Sequence, residues 1–174
     1  MVMNNSSFSL VFDDDRWNKK IPEIENWANK VFEVALSFLS LNDLGFEGWD
    51  NKPVSVVLSL SNNSEVQKLN CEFRGKDKPT NVLSFANIDD EFFEDELLSE
   101  EVVDLGNIIM AVETLDDEAK IKKIELKDHF AHLLIHGVLH LFGYDHIEDD
   151  EAEEMEGIEV DILKELNIAD PYKE

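Results

Sequence analysis

The sequence predicts an α+β fold: a single domain in which a mixed β-sheet packs against helices and a central helix carries histidines. The chain has 174 residues, the size of one domain with an adequate core. Short β-branched segments of strand length are interspersed with longer segments of helical periodicity. The predicted order of elements, β-α-β-α-β-β-α-α-α, is typical of a sheet covered by helices, but it leaves the strand order open.

The N-terminal half contributes two strands and two helices to this prediction. The segments "FSLVF" (8–12) and "VSVVLSL" (54–60) have the length and composition of strands. Pro22 suits the first turn of a helix, and apolar residues at helical spacing extend that helix to about Leu41. The segment "NSEVQKLNCEF" (63–73) begins with a cap-like Asn-Ser pair, which predicts a second helix.

The C-terminal half is predicted to be mainly helical. Thr114 suits the cap of a short helix, and the apolar segment "ELKDHFAHLLIHGVLHLF" (125–142) predicts a long one. The last helix is predicted to bury a stripe that comprises Ala152, Met155, Ile158, Ile162 and Leu166. The remaining predicted elements are a polar loop at 74–81, strands at 82–86 and 105–112, and helices at 114–121 and 148–167.

An acidic segment, "DDEFFEDELLSEEVVD", interrupts this pattern at residues 89–104, with nine acidic residues and no basic one. We favour a solvated loop or hairpin, because a run of like charge usually marks a solvent-facing segment. A docking arm for a partner, or an arm that attracts metal ions, is the functional alternative. The apolar side chains available to anchor the segment are Phe92, Phe93, Leu97 and Leu98.

The charge balance is strongly acidic, with 15 Lys and Arg against 40 Asp and Glu and a net charge of −25. Such a chain repels polyanions at long range, so charge alone argues against nucleic-acid binding. The single cysteine, Cys71, cannot form an internal disulfide and is expected to be a small core residue. Because no secretory signal and no bilayer-length apolar stretch is recognisable, we expect a cytoplasmic protein without membrane association.

The segment "HGVLHLFGYDH" carries three histidines with the spacing of a zinc-protease helix. Residues four apart on a helix differ by only about 40° in direction, so His136 and His140 face the same side one turn apart. Gly143 suits a helix end in the left-handed conformation, after which the chain can return His146 to the same ion. Three neutral imidazoles would leave a fourth position for water, which is the arrangement of a catalytic zinc site.

The other polar residues around this motif have several interpretations. His129 and His132 lie on nearly the same face as His136, so either is an alternative ligand. We prefer both histidines as groups that support the ligands without touching the ion, or as surface groups. Asp145 either holds a ligand imidazole, such as that of the adjacent His146, by its second nitrogen or caps the last helix.

Gly137 occupies the position where a zinc protease has its glutamate base. Glycine cannot accept a proton, so the site would depend on the metal itself to lower the pKa of water. A phosphodiester is a plausible substrate for such a site, because its anionic oxygens bind a cation directly. An RNA phosphodiester also carries its own 2′-hydroxyl nucleophile. This reasoning makes a phosphodiesterase plausible without excluding other hydrolases.

Together, "HGVLHLFGYDH" and "RGKDKPTNVLSF" resemble the bacterial YbeY family of metal-dependent endoribonucleases, which act in rRNA maturation. The resemblance extends from the strand near Val54 over most of the chain, and "HIEDDEAEEME" fits the family's last helix. It implies one YbeY-like domain over 1–174 and one Zn²⁺ per chain. The implied metal ligands are His136, His140 and His146, with His136 also counted as catalytic.

The resemblance also implies that Arg74 is the family's functionally important arginine. Arg74, Lys76 and Lys78 form a basic cluster, and we expect all three to bind substrate, with Arg74 also acting in catalysis. A guanidinium fork suits phosphate and can stabilise charge that develops on the scissile group. From composition alone, a solvated loop would be the better interpretation. The implied partners are single-stranded RNA, rRNA and the small ribosomal subunit or its associated proteins, in 3′-end maturation and ribosome quality control.

Two features depart from the family pattern. Asn107 stands where the family usually has an aspartate, which puts any role of that carboxylate in doubt. The acidic segment 89–104 is the second departure. Two other functions remain open at this point: a metal-dependent hydrolase of another bond, such as a peptide, and a ribosome-assembly factor whose zinc is structural.

Overall fold

The computed structural model describes residues 5–46 and 52–173. These residues form one mixed β-sheet covered by helices. Its strands are β1 (Ser7–Phe12), β2 (Val54–Ser61), β3 (Val82–Ala86) and β4 (Val103–Ala111). Their order is β1-β2-β4-β3, in which β1, β2 and β4 run parallel and β3 pairs antiparallel with β4. The predicted α+β class with a mixed sheet is therefore confirmed, and the strand order becomes known.

Seven helices surround this sheet within the described ranges, and short 3₁₀ turns occupy Leu41–Leu44 and Asn87–Asp89. The helices are α1 (Arg16–Lys20), α2 (Ile24–Ser37), α3 (Asn63–Arg74), α4 (Phe93–Ser99), α5 (Val112–Lys122), α6 (Leu126–Leu141) and α7 (Asp149–Glu165). Every predicted strand and helix is found. None of the helices in the described residues has the length and hydropathy of a membrane-spanning segment.

The central strand β4 buries side chains on both faces of the sheet, because successive side chains of a strand point in opposite directions. In β4, Ile108 and Met110 belong to the main core, whereas Ile109 and Ala111 belong to a smaller cluster with Val66 of α3. The main core contains α6, which contacts α2, α5, α7, β3 and β4. The prediction of a central histidine-bearing helix is confirmed.

One prediction in the N-terminal half is wrong in detail, and one helix there was not predicted. The helix that begins near Pro22 ends at Ser37 rather than Leu41, because its last turn tightens: the Phe38 amide donates to the carbonyl of Ala35. The polar stretch before it contains the short helix α1. Trp17 of that helix is fully buried and its indole N–H donates to the Ser61 carbonyl at 2.8 Å.

Cys71 is exposed, so its predicted place in the core is wrong. The helix α3 is indeed present, and Asn62 caps it by accepting a hydrogen bond from the Glu65 amide at 3.0 Å. The helix turns Val66 and Asn70 toward the protein, which leaves Cys71 on the outer side. Thr114 is not a cap either, since α5 begins at Val112, immediately after β4.

The acidic segment 89–104 is not a simple loop or hairpin, because its centre forms the short helix α4. Phe93 and Leu97, four residues apart, are buried in the main core. Phe92 and Leu98 are exposed, so only two of the four predicted anchors act as such. The acidic side chains of the first turn, Glu94, Asp95 and Glu96, suit the positive end of the helix dipole.

Candidate metal centre

The end of α6 determines the direction of the chain that carries His146. Gly143 has a φ of 97°, the left-handed conformation that was expected of it. Its amide donates to the His140 carbonyl at 3.0 Å, and the Tyr144 amide donates to the Leu139 carbonyl at 3.1 Å. These two bonds are those of a Schellman motif, which satisfies the last carbonyls of the helix and reverses the chain.

This reversal brings three imidazoles together. His136, His140 and His146 each offer one nitrogen, and these three atoms lie within 4.8 Å of one another. The Nε2 atoms of His136 and His140 are 3.0 Å apart. The ring of His146 lies 5.4 Å from that of His136 and 5.1 Å from that of His140, measured between centroids. Such a group can hold one metal ion.

The other ring nitrogens of the first two histidines have polar partners of their own. Nδ1 of His136 lies 2.6 Å from Oε1 of Glu159. Nδ1 of His140 lies 2.9 Å from the carbonyl oxygen of Tyr144, which can only accept a hydrogen bond. Both rings therefore carry their proton on Nδ1 and direct the Nε2 lone pair toward the shared space.

Electrostatics keeps the His140 imidazole in the form that a metal needs. Burial, together with the neighbouring His136 imidazole, lowers the pKa of His140 to about 4. The ring is therefore neutral at physiological pH. Neutral imidazole nitrogens suit zinc, and also nickel, copper and iron, so the residues present fit such an ion.

A fully buried carboxylate, Glu159 of α7, stands behind the metal-facing histidines. Its Oε2 lies 3.1 Å from Nε2 of His132 and accepts a short hydrogen bond from the Tyr172 hydroxyl. Burial raises the pKa of Glu159, but the hydrogen bonds from His132, His136 and Tyr172 outweigh it and lower that pKa to about 2. Burial and the Glu159 carboxylate raise the pKa of Tyr172 well above its usual range, so the phenol remains a donor.

A cleft of about 440 Å³ opens in front of the three histidines. Arg74 from the end of α3, Ser84 from β3 and Asp89 line it together with the three imidazoles. Nη2 of Arg74 lies 3.5 Å from the Ser84 carbonyl oxygen. The arginine and the histidines, 62 residues apart or more in the chain, therefore share one space.

The remaining predicted site residues include Lys76, Lys78 and Asp145. Lys76 and Lys78 are exposed in the loop after α3 and are not among the described residues that line the cleft. Asp145 lines the cleft. Its Oδ1 accepts a hydrogen bond from the His146 amide at 2.7 Å and lies 3.5 Å from Nδ1 of the His146 ring. The last helix is capped by Glu148, so the alternative role of Asp145 as its cap is wrong.

His129 and His132 point away from the three-histidine group. Nε2 of His129 bonds Oε1 of Glu118 at 2.9 Å, which leaves the alternative of His129 as a ligand without support. His132 contacts Glu159 and Tyr172 rather than the shared space. Its position behind the ligands agrees with the supporting role expected of it.

Gly137 lies against the sheet. A Cβ at this position would lie 3.1 Å from two carbons of Ile108 and 3.2 Å from Oγ of Ser84. Position 137 therefore faces the packed interior between α6 and the sheet, where even a Cβ atom would make tight contacts. Asn107, one residue before Ile108, is exposed on β4.

Sequence reasoning missed Glu159 and Tyr172. Glu159 falls within the apolar stripe of α7, between Met155 and Ile162. An acidic residue in a buried stripe requires a partner, and this signal was available in the sequence. Tyr172 carries no such signal, since only the three-dimensional fold brings it to α7.

Comparison with known proteins adds to this geometry. A family model described as "Endoribonuclease YbeY" matches residues 11–167. The endoribonuclease YbeY of Paramagnetospirillum magneticum is 42% identical over 158 residues, which cover 91% of this chain and 90% of that protein. The endoribonuclease YbeY of Allorhizobium ampelinum is 37% identical over 170 residues, or 98% and 96% of the two chains.

Two further comparisons extend these findings. The endoribonuclease YbeY of Francisella philomiragia is 50% identical over 121 residues, which are 68% of this chain and 73% of that protein. The solution structure of a protein from Thermotoga maritima aligns with a TM-score of 0.52 and 23% identity, covering 96% of this chain and 99% of that one. This last similarity concerns the fold alone.

Proposed function

The chain belongs to the YbeY family of endoribonucleases, and from this premise we propose that it is a zinc-dependent endoribonuclease specific for single-stranded RNA. One observation carries the proposal: three imidazole nitrogens within 4.8 Å of one another face the same cleft as Arg74. A group that can hold a cation and a side chain suited to phosphate therefore share one cleft. We take residues 1–174 as one domain of this family, in which 89–104 is an acidic elaboration.

The three histidines and Arg74 have different roles in this proposal. His136, His140 and His146 would hold the ion through imidazole nitrogens. When bound, the ion would act as a Lewis acid on a phosphodiester oxygen and lower the pKa of water. Arg74, which is exposed at the cleft, would pair with the phosphate and stabilise the charge that develops on it.

The packing of Gly137 favours a phosphodiester over a peptide substrate. The helix position that holds the base in zinc proteases faces the sheet here, within 3.1 Å of Ile108 for a Cβ atom. The cleft therefore lacks the carboxylate that this helix position supplies in a zinc protease. A polarised phosphodiester with its own 2′-hydroxyl depends least on such a base.

The biological setting that we propose is 3′-end maturation of small-subunit rRNA, with a part in ribosome quality control, in the cytoplasm. The net charge of −25 opposes tight binding of free RNA, so a ribosomal partner would supply much of the affinity. Lys76 and Lys78, outside the cleft lining, would contact RNA beyond the scissile phosphate.

Metal analysis and RNA cleavage with the same protein samples test this proposal. The wild type should contain about one zinc per chain and cleave an unstructured RNA oligonucleotide. The His136→Ala and His140→Ala variants should lose both the metal and the cleavage. A wild type that binds zinc but leaves RNA intact, while cleaving casein in a chelator-sensitive manner, would point to the protease-like alternative instead.

A further inference from the structure

Glu159 is the most buried ionisable group near the histidines and lies on α7, whereas His136 and His140 lie on α6. Its side chain is 0% exposed, and both of its oxygens are engaged. Oε1 faces Nδ1 of His136 at 2.6 Å, and Oε2 faces the Tyr172 hydroxyl and Nε2 of His132. A buried carboxylate is tolerated only when such partners compensate it, so its place here is specified by the surrounding structure.

The contact with His136 determines which nitrogen of that ring is free. A carboxylate can only accept, so Nδ1 carries the proton and Nε2 carries the lone pair. The same contact holds the plane of the ring, and Nε2 then lies 3.0 Å from Nε2 of His140. Rotation or tautomer exchange of His136 would remove one nitrogen from the three-histidine group.

Tyr172 secures the carboxylate from the C-terminal turn. Its amide donates to Oδ1 of Asp170 at 2.8 Å, which closes a turn around Pro171. Its ring packs edge-on against the ring of His132, with 5.5 Å between centroids. The Tyr172 hydroxyl therefore reaches Oε2 of Glu159 from the C-terminal turn rather than from α6 or α7.

We propose that Glu159 is a positioning residue that fixes the orientation and tautomer of His136 for metal binding, and that Tyr172 holds Glu159 in place. The C-terminal turn at 170–173 then contributes to metal affinity without touching the ion. This inference rests on the proposed metal site, but it does not depend on RNA being the substrate. Carboxylates that orient ligand imidazoles typically contribute about 10- to 100-fold to metal affinity.

Zinc affinity, measured by competition with a chromogenic chelator, tests the inference without RNA. The Glu159→Gln variant should bind zinc about 10- to 100-fold more weakly than the wild type. Tyr172→Phe, which removes only a hydroxyl from a partly exposed ring, should weaken binding by a smaller factor. Glu165→Gln is the matched control, because it removes the same charge from an exposed position of the same helix and should not change the affinity.

A second measurement separates positioning from general destabilisation. Proton–nitrogen correlation spectra of the metal-free wild type should show His136 protonated on Nδ1. In Glu159→Gln the Nε2-protonated form should appear, whereas Glu165→Gln should resemble the wild type. If Glu159→Gln fails to fold, Tyr172→Phe provides both readouts.

Unchanged zinc affinity in Glu159→Gln and Tyr172→Phe, or an Nε2-protonated His136 in the wild type, would overturn the inference and leave the endoribonuclease proposal intact. Conversely, a fall in zinc affinity in these variants combined with a wild type that cleaves no RNA would support the inference and overturn the endoribonuclease proposal. The two outcomes are therefore distinguishable with the same set of proteins.

Discussion

Gly137 and Ile108 approach so closely that a side chain between α6 and β4 would be a tight fit. A Cβ added to Gly137 would lie 3.1 Å from both Cδ1 and Cγ2 of Ile108. Glycine in the middle of a helix ordinarily costs about 0.5–1 kcal/mol relative to alanine. The close packing of the histidine-bearing helix on the sheet explains why glycine nevertheless stands there.

The first prediction concerns this contact. Gly137→Ala should lower the free energy of unfolding by about 1–3 kcal/mol, because the extra methyl overpacks the interface between α6 and the sheet. Urea unfolding of the metal-free protein measures it. Gly157→Ala is the control, since that helical glycine has no atom within 4 Å of an added Cβ and the substitution should stabilise α7. Equal effects of the two substitutions would refute the packing argument.

The second prediction concerns Arg74. Arg74→Ala should retain zinc but lose about 10²–10³-fold in kcat for RNA cleavage, the range typical of removing a donor to developing charge. Arg74→Lys should recover only part of this loss, because an ammonium does not reproduce the planar fork. Lys78→Ala, outside the cleft lining, is the control and should raise KM with little change in kcat. Normal cleavage by Arg74→Ala would remove Arg74 from the mechanism.

The third prediction concerns pH. The folded state lowers the pKa of His140 from 6.5 to about 4, so between these values the unfolded chain binds more protons than the folded one. The stability of the metal-free protein should therefore fall as the pH falls from about 6.5 to 4. Urea unfolding at several pH values measures this slope. His140→Gln should flatten it, and an unchanged slope would show that His140 does not contribute.

The fourth prediction concerns affinity for RNA. The isolated protein should bind short unstructured RNA weakly, because a net charge of −25 repels phosphate groups at long range. Binding should weaken further as the salt concentration rises. The basic cluster of Arg74, Lys76 and Lys78 is the expected exception to this repulsion. Fluorescence anisotropy across a salt series measures both effects. Nanomolar binding at physiological salt would contradict the need for a ribosomal partner.

The sequence predicted the three-histidine group well because its geometry is local. Helical periodicity relates His136 to His140, and a glycine that tolerates positive φ brings His146 back within a few residues. Glu159 and Tyr172 lie 23 and 36 residues beyond His136, and their contacts depend on how α7 and the C-terminal turn pack on α6. No periodicity within one segment encodes such packing.

The same distinction explains the errors elsewhere. The helix α3 and the strands before and after it were predictable from composition. The exposure of Cys71, however, depends on which side of α3 meets the sheet. Trp17 lies in a polar stretch, so its complete burial and its bond to the Ser61 carbonyl depend on a strand 44 residues away. Long-range packing, rather than local propensity, decided these cases.

Because β3 is an edge strand of the sheet, Arg74 has a second effect that does not involve catalysis. A marginal strand offers unpaired backbone groups to other molecules, and proteins commonly protect such strands with charged side chains. The guanidinium of Arg74 lies 3.5 Å from the Ser84 carbonyl of that strand. Removing the guanidinium should therefore leave β3 more open to pairing with a strand of another molecule. Light scattering of the Arg74→Ala protein would detect such self-association, and it should be measured before a loss of RNA cleavage is attributed to the cleft.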